Sequence, residues 1–385
     1  MIRRAETPPL RIEFRSVLPM LSAVIPIRLP QAEYDIVIEP DSLGQIGEPL
    51  RQRGLGGKVL VVSHPLLLRY YGEKLIASLE QAGFTVAVCE IPPGERYKTL
   101  KSIQKIYDAA LAAGLERRST MLALGGGVIG DMTGFAAATW LRGIPFVQVP
   151  TTLLAMVDAS IGGKTGVNHP LGKNLIGAFH QPRLVWIDPA LLQTLPGREF
   201  RSALAEVVKY GVIQDPDLFA YLEGLPHLHR PKSWDPAHLF HILVRSAECK
   251  AWVVQQDERE AGVRAILNYG HTLGHALESA THYRHYLHGE AVSVGMVGAG
   301  ALAVALGWWT SDDQERQVAL LRRCGLPVTI PAQVDLAQVV TLVQSDKKVL
   351  DGHVQFVLPQ RLGQVALTQQ VTTALAQATW QALVN

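Results

Sequence analysis

The period of the apolar positions changes midway along the chain. In the first half, short β-rich runs recur at Tyr34–Glu39, Lys58–Ser63, Thr85–Glu90, Thr120–Gly125, Phe146–Pro150 and Arg183–Asp188. Helical patterns fill the intervals, as in Leu100–Ala113, with apolar Leu100, Ile103, Ile106, Tyr107 and Leu111. Such alternation predicts an α/β domain with a mostly parallel, Rossmann-like sheet and helices on its faces. From Arg198 onward a helical period dominates. It predicts helices over Glu199–Ile213, Pro236–Gln256, His271–Thr281, Glu290–Leu306 and Asp312–Cys324, with one β-like run at Val354–Leu358. Pro189, Pro196 and Gly197 punctuate the change. The expected organisation is a loose extension over residues 1–25, an α/β domain over 26–190 and an all-α domain over 191–385. The active site is expected in the cleft between the two domains.

Composition narrows the function classes. Of 385 residues, 48% are hydrophobic and 18% charged, which excludes a disordered chain. A net charge of +2 argues against a dedicated nucleic-acid binder, while leaving room for a local basic pocket. Cys89, Cys249 and Cys324 are odd in number and form no CxxC, so neither a disulfide scaffold nor a thiolate zinc cluster is expected. A reducing cytosol is the expected compartment. Residues 1–20 mix Arg3, Arg4, Arg11 and Arg15 with Glu6 and Glu13 and lack a continuous apolar core, unlike a secretory signal. Ala291–Ser311 is uncharged and long enough to span a bilayer. Its glycines, Gly295, Gly298, Gly300 and Gly307, read better as a close-packed buried helix. No membrane partner is expected.

Three stretches carry candidate chemistry. Gly125-Gly126-Gly127-Val128-Ile129-Gly130-Asp131 joins a β run to a helical pattern and fits the GxGxxG spacing. Glycines there let backbone amides at a helix start face a pyrophosphate. The loop follows the fourth β run, and no acid ends the next one, so a tight structural turn is the alternative. Residues 158–174 hold Lys164, Lys173 and Asn174 among glycines and Pro170, a hairpin or loop suited to gripping an anion or simply a solvated surface. Its Gly-Gly-Lys-Thr lacks the first glycine of a P-loop, Asp158 standing there. His271 and His275 lie one helical turn apart, His288 follows, and Glu206 precedes Lys209 by one turn. A catalytic zinc wants three N/O ligands and an open position. Spacing alone does not say which two histidines would bind.

Taken together, GGGVIGDMTGFAAATWLRG, VPTTLLAMVDASIGGKTGVNHPLGKNLIGAF, LAEVVKYG, DEREAGVRAILNYGHTLGHALE and HGEAVSVGM closely resemble the 3-dehydroquinate synthase family, over roughly Tyr34–Leu358. The resemblance implies conversion of 3-deoxy-D-arabino-heptulosonate 7-phosphate to 3-dehydroquinate in the shikimate pathway, with NAD and Zn²⁺ (or Co²⁺) as cofactors. It implies Glu206, His271 and His288 as metal ligands, and His275 as a substrate-pocket histidine instead. Pro93, Gly94, Glu95, Arg96, Tyr97 and Lys98, then Gly126, Gly127, Val128, Ile129, Gly130 and Asp131, match NAD-contacting segments, as do Thr151, Thr152, Leu191, Leu192, Gln193 and Thr194. Asp158, Lys164, Lys173, Asn174, Lys209, Lys250, Arg264, Asn268 and Lys348 match polar groups around cofactor and substrate. Arg142 matches an arginine that reaches the neighbouring subunit's site in a homodimer. Ser63-His64 stands where relatives often carry an acid or amide near the adenosine ribose. The rival readings are another sugar-phosphate cyclase, a metal-dependent polyol dehydrogenase and a non-catalytic scaffold.

Overall fold

The computed structural model describes residues 21–230, 233–260, 262–344, 349–350 and 353–385. Nine strands come first: β1 (Ala23–Leu29), β2 (Ala32–Ile38), β3 (Lys58–Ser63), β4 (Thr85–Glu90), β5 (Thr120–Gly125), β6 (Phe146–Pro150), β7 (Lys164–His169), β8 (Gly172–Phe179) and β9 (Leu184–Ile187). Among them lie α1 (Gly47–Gln52), α2 (Pro65–Leu67), α3 (Glu73–Gln81), α4 (Leu100–Ala112) and α5 (Gly127–Thr139). Seven strands form one sheet in the order β1-β2-β9-β6-β5-β3-β4. All neighbours pair parallel except β1 with β2. Every residue of β5, β6 and β9 is buried, which explains their continuous apolar runs.

The strand order reverses between β3 and β5. From β3 the chain moves to β4 on one side, and from β5 to β6 and β9 on the other. The glycine loop leaves the carboxyl end of β5, so it opens at the switch point where α/β sheets bind ligands. Topology, not strand number, places the loop.

The second half is built on α6 (Gly197–Ile213), α7 (Pro216–Gly224), α8 (Pro236–Gln256), α9 (His271–Ala280), α10 (His288–Ala305), α11 (Ser311–Arg323), α12 (Leu336–Gln344) and α13 (Thr373–Gln381). Two small hairpins accompany these helices: β10 (Val349–Leu350) with β11 (His353–Val354), and β12 (Phe356–Arg361) with β13 (Gln364–Thr368). The β-like run at Val354–Leu358 falls on β11 and β12. α8 packs against β1 and against a π-helical turn, Ala155–Ala159.

Two sequence expectations are corrected. The extension over 1–25 is too long by three residues, because Ala23 already pairs with Ile38; residues 1–20 lie outside those described. β1 is an edge strand carrying Pro26, and proline masks a strand pattern while being tolerated at an edge. In α4 the buried face is Ser102, Ile103, Ile106 and Ala110, whereas Leu100 and Leu111 are exposed. Of the two readings of 158–174, the hairpin is the one found: β7 pairs antiparallel with β8, which continues to Phe179.

α10 is apolar on all sides and would satisfy the length of a membrane span, but 72% of it is buried inside the protein. Its glycines admit its neighbours. A Cβ on Gly295 would stand 1.8 Å from the Gly270 carbonyl oxygen, and one on Gly289 would stand 1.8 Å from that of Ser202. α10 therefore lies against both α9 and α6 at backbone distance.

Candidate active site

The three helices joined by these close contacts carry the candidate metal ligands. Glu206 projects from α6, His271 from the first turn of α9 and His288 from the first turn of α10. Gly270, at φ +77°, makes the left-handed turn that starts α9. Glu206 Oε1 stands 3.4 Å from His271 Nε2 and 3.6 Å from His288 Nε2. These gaps are long for hydrogen bonds. They match the edge of a tetrahedron of ligands about 2.0–2.1 Å from a shared ion, which is about 3.3–3.4 Å. His271 Nδ1 lies 3.0 Å from the Tyr269 carbonyl, and His288 Nδ1 lies 3.4 Å from Glu278 Oε2. Such acceptors hold the Nδ1 protons and aim the Nε2 lone pairs at the common point. The residues present therefore fit a divalent ion with nitrogen and oxygen ligands.

Electrostatics keeps the acids of this centre ionised. Burial alone would push the Glu206 carboxyl up; the Lys209 ammonium and His288 override it and hold the group at about 2. Glu278 is likewise held at about 2, against burial, by His288 and Lys173. His288 is pushed up to about 10 because its two carboxylates outweigh the effect of burial, so its Nε2 becomes a ligand by giving up a proton to solvent as an ion binds.

Beside the metal candidates lies a second polar group. Lys250, on α8, meets Asp158 Oδ1 at 2.6 Å, and the Tyr210 hydroxyl donates to the same oxygen at 2.9 Å. Burial would raise the Asp158 carboxyl, but Lys250 and Lys209 hold it at about 2. Burial in turn lowers the Lys250 ammonium, which Asp158 only partly offsets. Lys209 also donates to the Leu267 carbonyl at 3.0 Å. The Arg264 guanidinium is 2% exposed, donates to the Glu258 carbonyl, and keeps a buried Nε without an acceptor among the described residues. Lys164 pairs with Glu260, whose other oxygen lies 3.5 Å from Asn268 Nδ2. Lys173 stands 3.3 Å from Glu278 and 4.0 Å from the centre of the Tyr283 ring.

At the carboxyl end of the central strand β5 the glycine loop is tightly enclosed. A Cβ on Gly126 would lie 3.0 Å from Thr152 Cγ2, one on Gly127 3.1 Å from Ala159 Cβ, and one on Gly130 2.6 Å from Gln148 Oε1. The Thr151 amide donates to the Gly125 carbonyl at 3.0 Å, and the Thr152 hydroxyl accepts from the Ala155 amide at 3.2 Å. The Ile129 side chain turns into the core, leaving its backbone to the loop. Lys98, buried, bridges Asp131 and Asn174 at 2.5 Å each. It thereby ties the 93–98 segment to α5 and to the hairpin. Glu95 accepts from Asn168 on that hairpin at 2.7 Å, while Pro93, Gly94 and Arg96 are exposed. Tyr71 donates to the Leu191 carbonyl at 3.0 Å and contacts the Thr194 hydroxyl at 2.7 Å. Leu192 is buried and Gln193 exposed.

The fold thus groups most of the candidates from the sequence into these connected clusters. Arg142 stands apart and is exposed, in a turn where Leu141, Arg142 and Gly143 all have positive φ. It makes no hydrogen bond or ion pair among the described residues. Lys348 lies outside the described residues. His64 follows the carboxyl end of β3, beside β5; Ser63 instead ties those strands by donating to the Leu124 carbonyl at 2.7 Å. The sequence reading missed Glu278, Glu260 and Tyr210. Glu278 was signalled by its position one turn after His275, and Glu260 by the acid-rich Asp257–Glu260 run before Arg264.

Fold and site together define a class: a parallel-sheet enzyme with a glycine loop at its switch point and a buried carboxylate–histidine centre on the adjoining helices. The family models "3-dehydroquinate synthase N-terminal" and "3-dehydroquinate synthase C-terminal" match residues 88–202 and 203–349. The chain belongs to the 3-dehydroquinate synthase family. It is 58% identical to the 3-dehydroquinate synthase of Cyanothece sp. strain PCC 7425, over 92% of this chain and 96% of that one. Among solved structures it resembles 2-epi-5-epi-valiolone synthase from Streptomyces hygroscopicus subsp. jinggangensis 5008, solved with NAD⁺ and Zn²⁺ bound. That match has 32% identity and a TM-score of 0.83, covering 92% and 98% of the two chains. It also resembles 2-deoxy-scyllo-inosose synthase, solved with carbaglucose-6-phosphate, NAD⁺ and Co²⁺, at 25% identity and a TM-score of 0.83, covering 94% and 99%.

Proposed function

We propose that the chain converts 3-deoxy-D-arabino-heptulosonate 7-phosphate to 3-dehydroquinate and phosphate, as a phosphate-eliminating carbon–oxygen lyase of aromatic amino-acid biosynthesis. The observation that carries this reading is the meeting of the Glu206–His271–His288 set with the Asp158–Lys250 pair, in a chain 58% identical to a relative of that activity. When bound, NAD would take and return a hydride while Zn²⁺, or Co²⁺ in its place, polarises the hydroxyl being oxidised.

The chain's own residues bind and orient. Glu206, His271 and His288 hold the metal. Amides of 126–131 at the start of α5 face the pyrophosphate, with 93–98, 151–152 and 191–194 completing the dinucleotide cradle. Lys164, Lys250 and Arg264 neutralise the substrate's carboxylate and phosphate, and Asp158 fixes the direction of Lys250. Asn268, His275, Asn174, Lys173, Lys209 and Lys348 complete the polar surround. Residues 26–190 hold most of the dinucleotide and 191–385 hold the metal, while Leu191–Thr194 reach across to the dinucleotide and Asp158, Lys164, Lys173 and Asn174 reach across to the substrate. The enzyme works as a cytosolic homodimer in which the partner subunit's Arg142 reaches the substrate phosphate; its three cysteines are free and buried.

The test is phosphate release from the heptulosonate phosphate with substoichiometric NAD. Complete turnover with no net NADH absorbance is expected. One NADH per product would favour the polyol dehydrogenase reading. Absence of phosphate release from this substrate would favour another sugar-phosphate cyclase.

A further inference from the structure

Five side chains of the helical centre form two ligand sets, not one. Besides Glu206, His271 and His288, an outer set of His275, Glu278 and His288 also brings its ligand atoms within 4.8 Å of one another. His288 belongs to both and turns a different nitrogen to each. Its Nε2 lies 3.6 Å from Glu206 Oε1, and its Nδ1 lies 3.4 Å from Glu278 Oε2. His275 and Glu278 are three residues apart on α9 and share a face. The His275 ring centre lies 6.0 Å from that of His288. His275 is exposed whereas Glu278 is buried, so the outer set can be reached from solvent.

We propose that the outer set is a second, weaker site for a divalent first-row ion such as Zn²⁺ or Co²⁺, and that filling it inhibits the enzyme. Two imidazoles and one carboxylate suit such ions and leave a fourth position for water. The ion takes the place of the Nδ1 proton of His288, which is released to solvent, so that the ring bridges the two ions as an imidazolate while Glu278 turns from accepting that proton to ligating the ion. It also displaces Lys173, which stands 3.3 Å from Glu278, and it occupies His275. Lys173 and His275 both belong to the proposed substrate surround, so the ion competes with substrate without disturbing the fold. Repulsion from the inner ion and from Lys173 makes the outer site the weaker one. The inference rests on the reading of the inner set as the resident metal site.

Equilibrium dialysis of metal-stripped, full-length protein against Zn²⁺ or Co²⁺ tests it. Wild type should bind two ions per chain, the second roughly a hundredfold more weakly, with turnover falling as the second site fills. His275→Ala should bind one ion at nearly wild-type inner affinity. Glu278→Gln should also bind one, with inner affinity reduced about 10–100-fold by loss of the Nδ1 acceptor. A single ion in wild type at millimolar free metal overturns the proposal and leaves the inner site standing. Two ions in both wild type and His275→Ala place the second ion elsewhere and overturn it too. No bound ion at all would defeat the inner-site reading along with this one.

Discussion

At the end of β5 one continuous run, Gly125–Asp131, supplies a whole loop, and its geometry is set by backbone clearances against Thr152, Ala159 and Gln148. The helical centre draws Glu206, His271 and His288 from three helices, and its geometry is set by how closely those helices lie. The two regions should therefore fail differently. The loop loses function gradually as clearance is lost. The helical centre loses it abruptly, either with a missing ligand or with a helix pushed aside.

The largest effect is expected from His271→Ala. Two protein ligands remain, too few to hold a catalytic ion. Metal content of the purified variant should fall to background and turnover by about three orders of magnitude or more. Metal content equal to wild type would remove His271 from the ligand set.

Next comes a matched pair of glycine substitutions. Gly295→Ala places a methyl 1.8 Å from the Gly270 carbonyl oxygen, and backbone cannot swing away. A loss of about 3 kcal/mol or more in unfolding free energy is expected, with weakened metal binding in the folded fraction. Gly126→Ala meets a Thr152 side chain at 3.0 Å, which can turn. It should keep its metal and lose roughly tenfold in dinucleotide affinity, about 1.4 kcal/mol. Calorimetric titration with NAD and metal analysis of both variants decide the matter. Metal loss in Gly126→Ala, or none in Gly295→Ala, would break the contrast between the regions.

The same contrast explains what was legible in the sequence. β3, β5 and β6 could be read to the residue because buried parallel strands are unbroken apolar runs bounded by turns, and β4, a half-exposed edge strand, because β-branched Thr85, Val86 and Val88 mark it. The glycine loop was legible because its function lies in consecutive residues. The metal centre was visible only as a surplus of histidines. Spacing places His271 and His275 equally on one face of α9; the fold turns His271 toward Glu206 through the left-handed turn at Gly270. The family resemblance, not periodicity, separated the two. Glu278 carries only a weak local signal, its place one turn after His275, because a lone acid on an amphipathic helix usually faces solvent. Its role appears only when α10 brings His288 beside it.

Arg142→Ala ranks below the helical ligands. A charge-assisted contact to phosphate is worth ~1.5–3 kcal/mol, so a ten- to hundredfold loss is expected. If the contact crosses subunits, mixing this variant with His271→Ala should restore activity in heterodimers, their presence being checked by native mass spectrometry. Confirmed heterodimers without recovered activity would return Arg142 to its own subunit.

The Asp158–Lys250 pair sharpens the comparison by pH. The Asp158 carboxyl is held at about 2 against an ordinary 3.8, so its folded-state value is depressed. Its contribution to stability is present above the ordinary value and is lost as pH falls through about 2. Asp158→Asn should therefore be less stable than wild type near neutral pH, with the gap closing between about pH 4 and 2. Chemical denaturation at stepped pH reads the gap. A gap independent of pH would mean that the carboxylate charge contributes nothing to the fold.

The smallest effect separates a support from a contact at the sheet edge. The Tyr71 hydroxyl bridges the π-helical turn Leu68–Gly72 to the Leu191–Thr194 segment through the Leu191 carbonyl and the Thr194 hydroxyl. Nothing in that bridge touches the metal centre. A single net hydrogen bond is worth about 0.5–1.5 kcal/mol. Tyr71→Phe keeps the ring packed and removes only the hydroxyl, so dinucleotide affinity should fall about two- to tenfold while metal content and kcat at saturating NAD stay unchanged. Thr194→Val removes the second partner, and because both variants break the same bridge the double variant should lose less than the sum of the two. Fully additive losses would mean that Tyr71 and Thr194 support the cradle independently, and that the 191–194 segment is held in place by its own 3₁₀ turn.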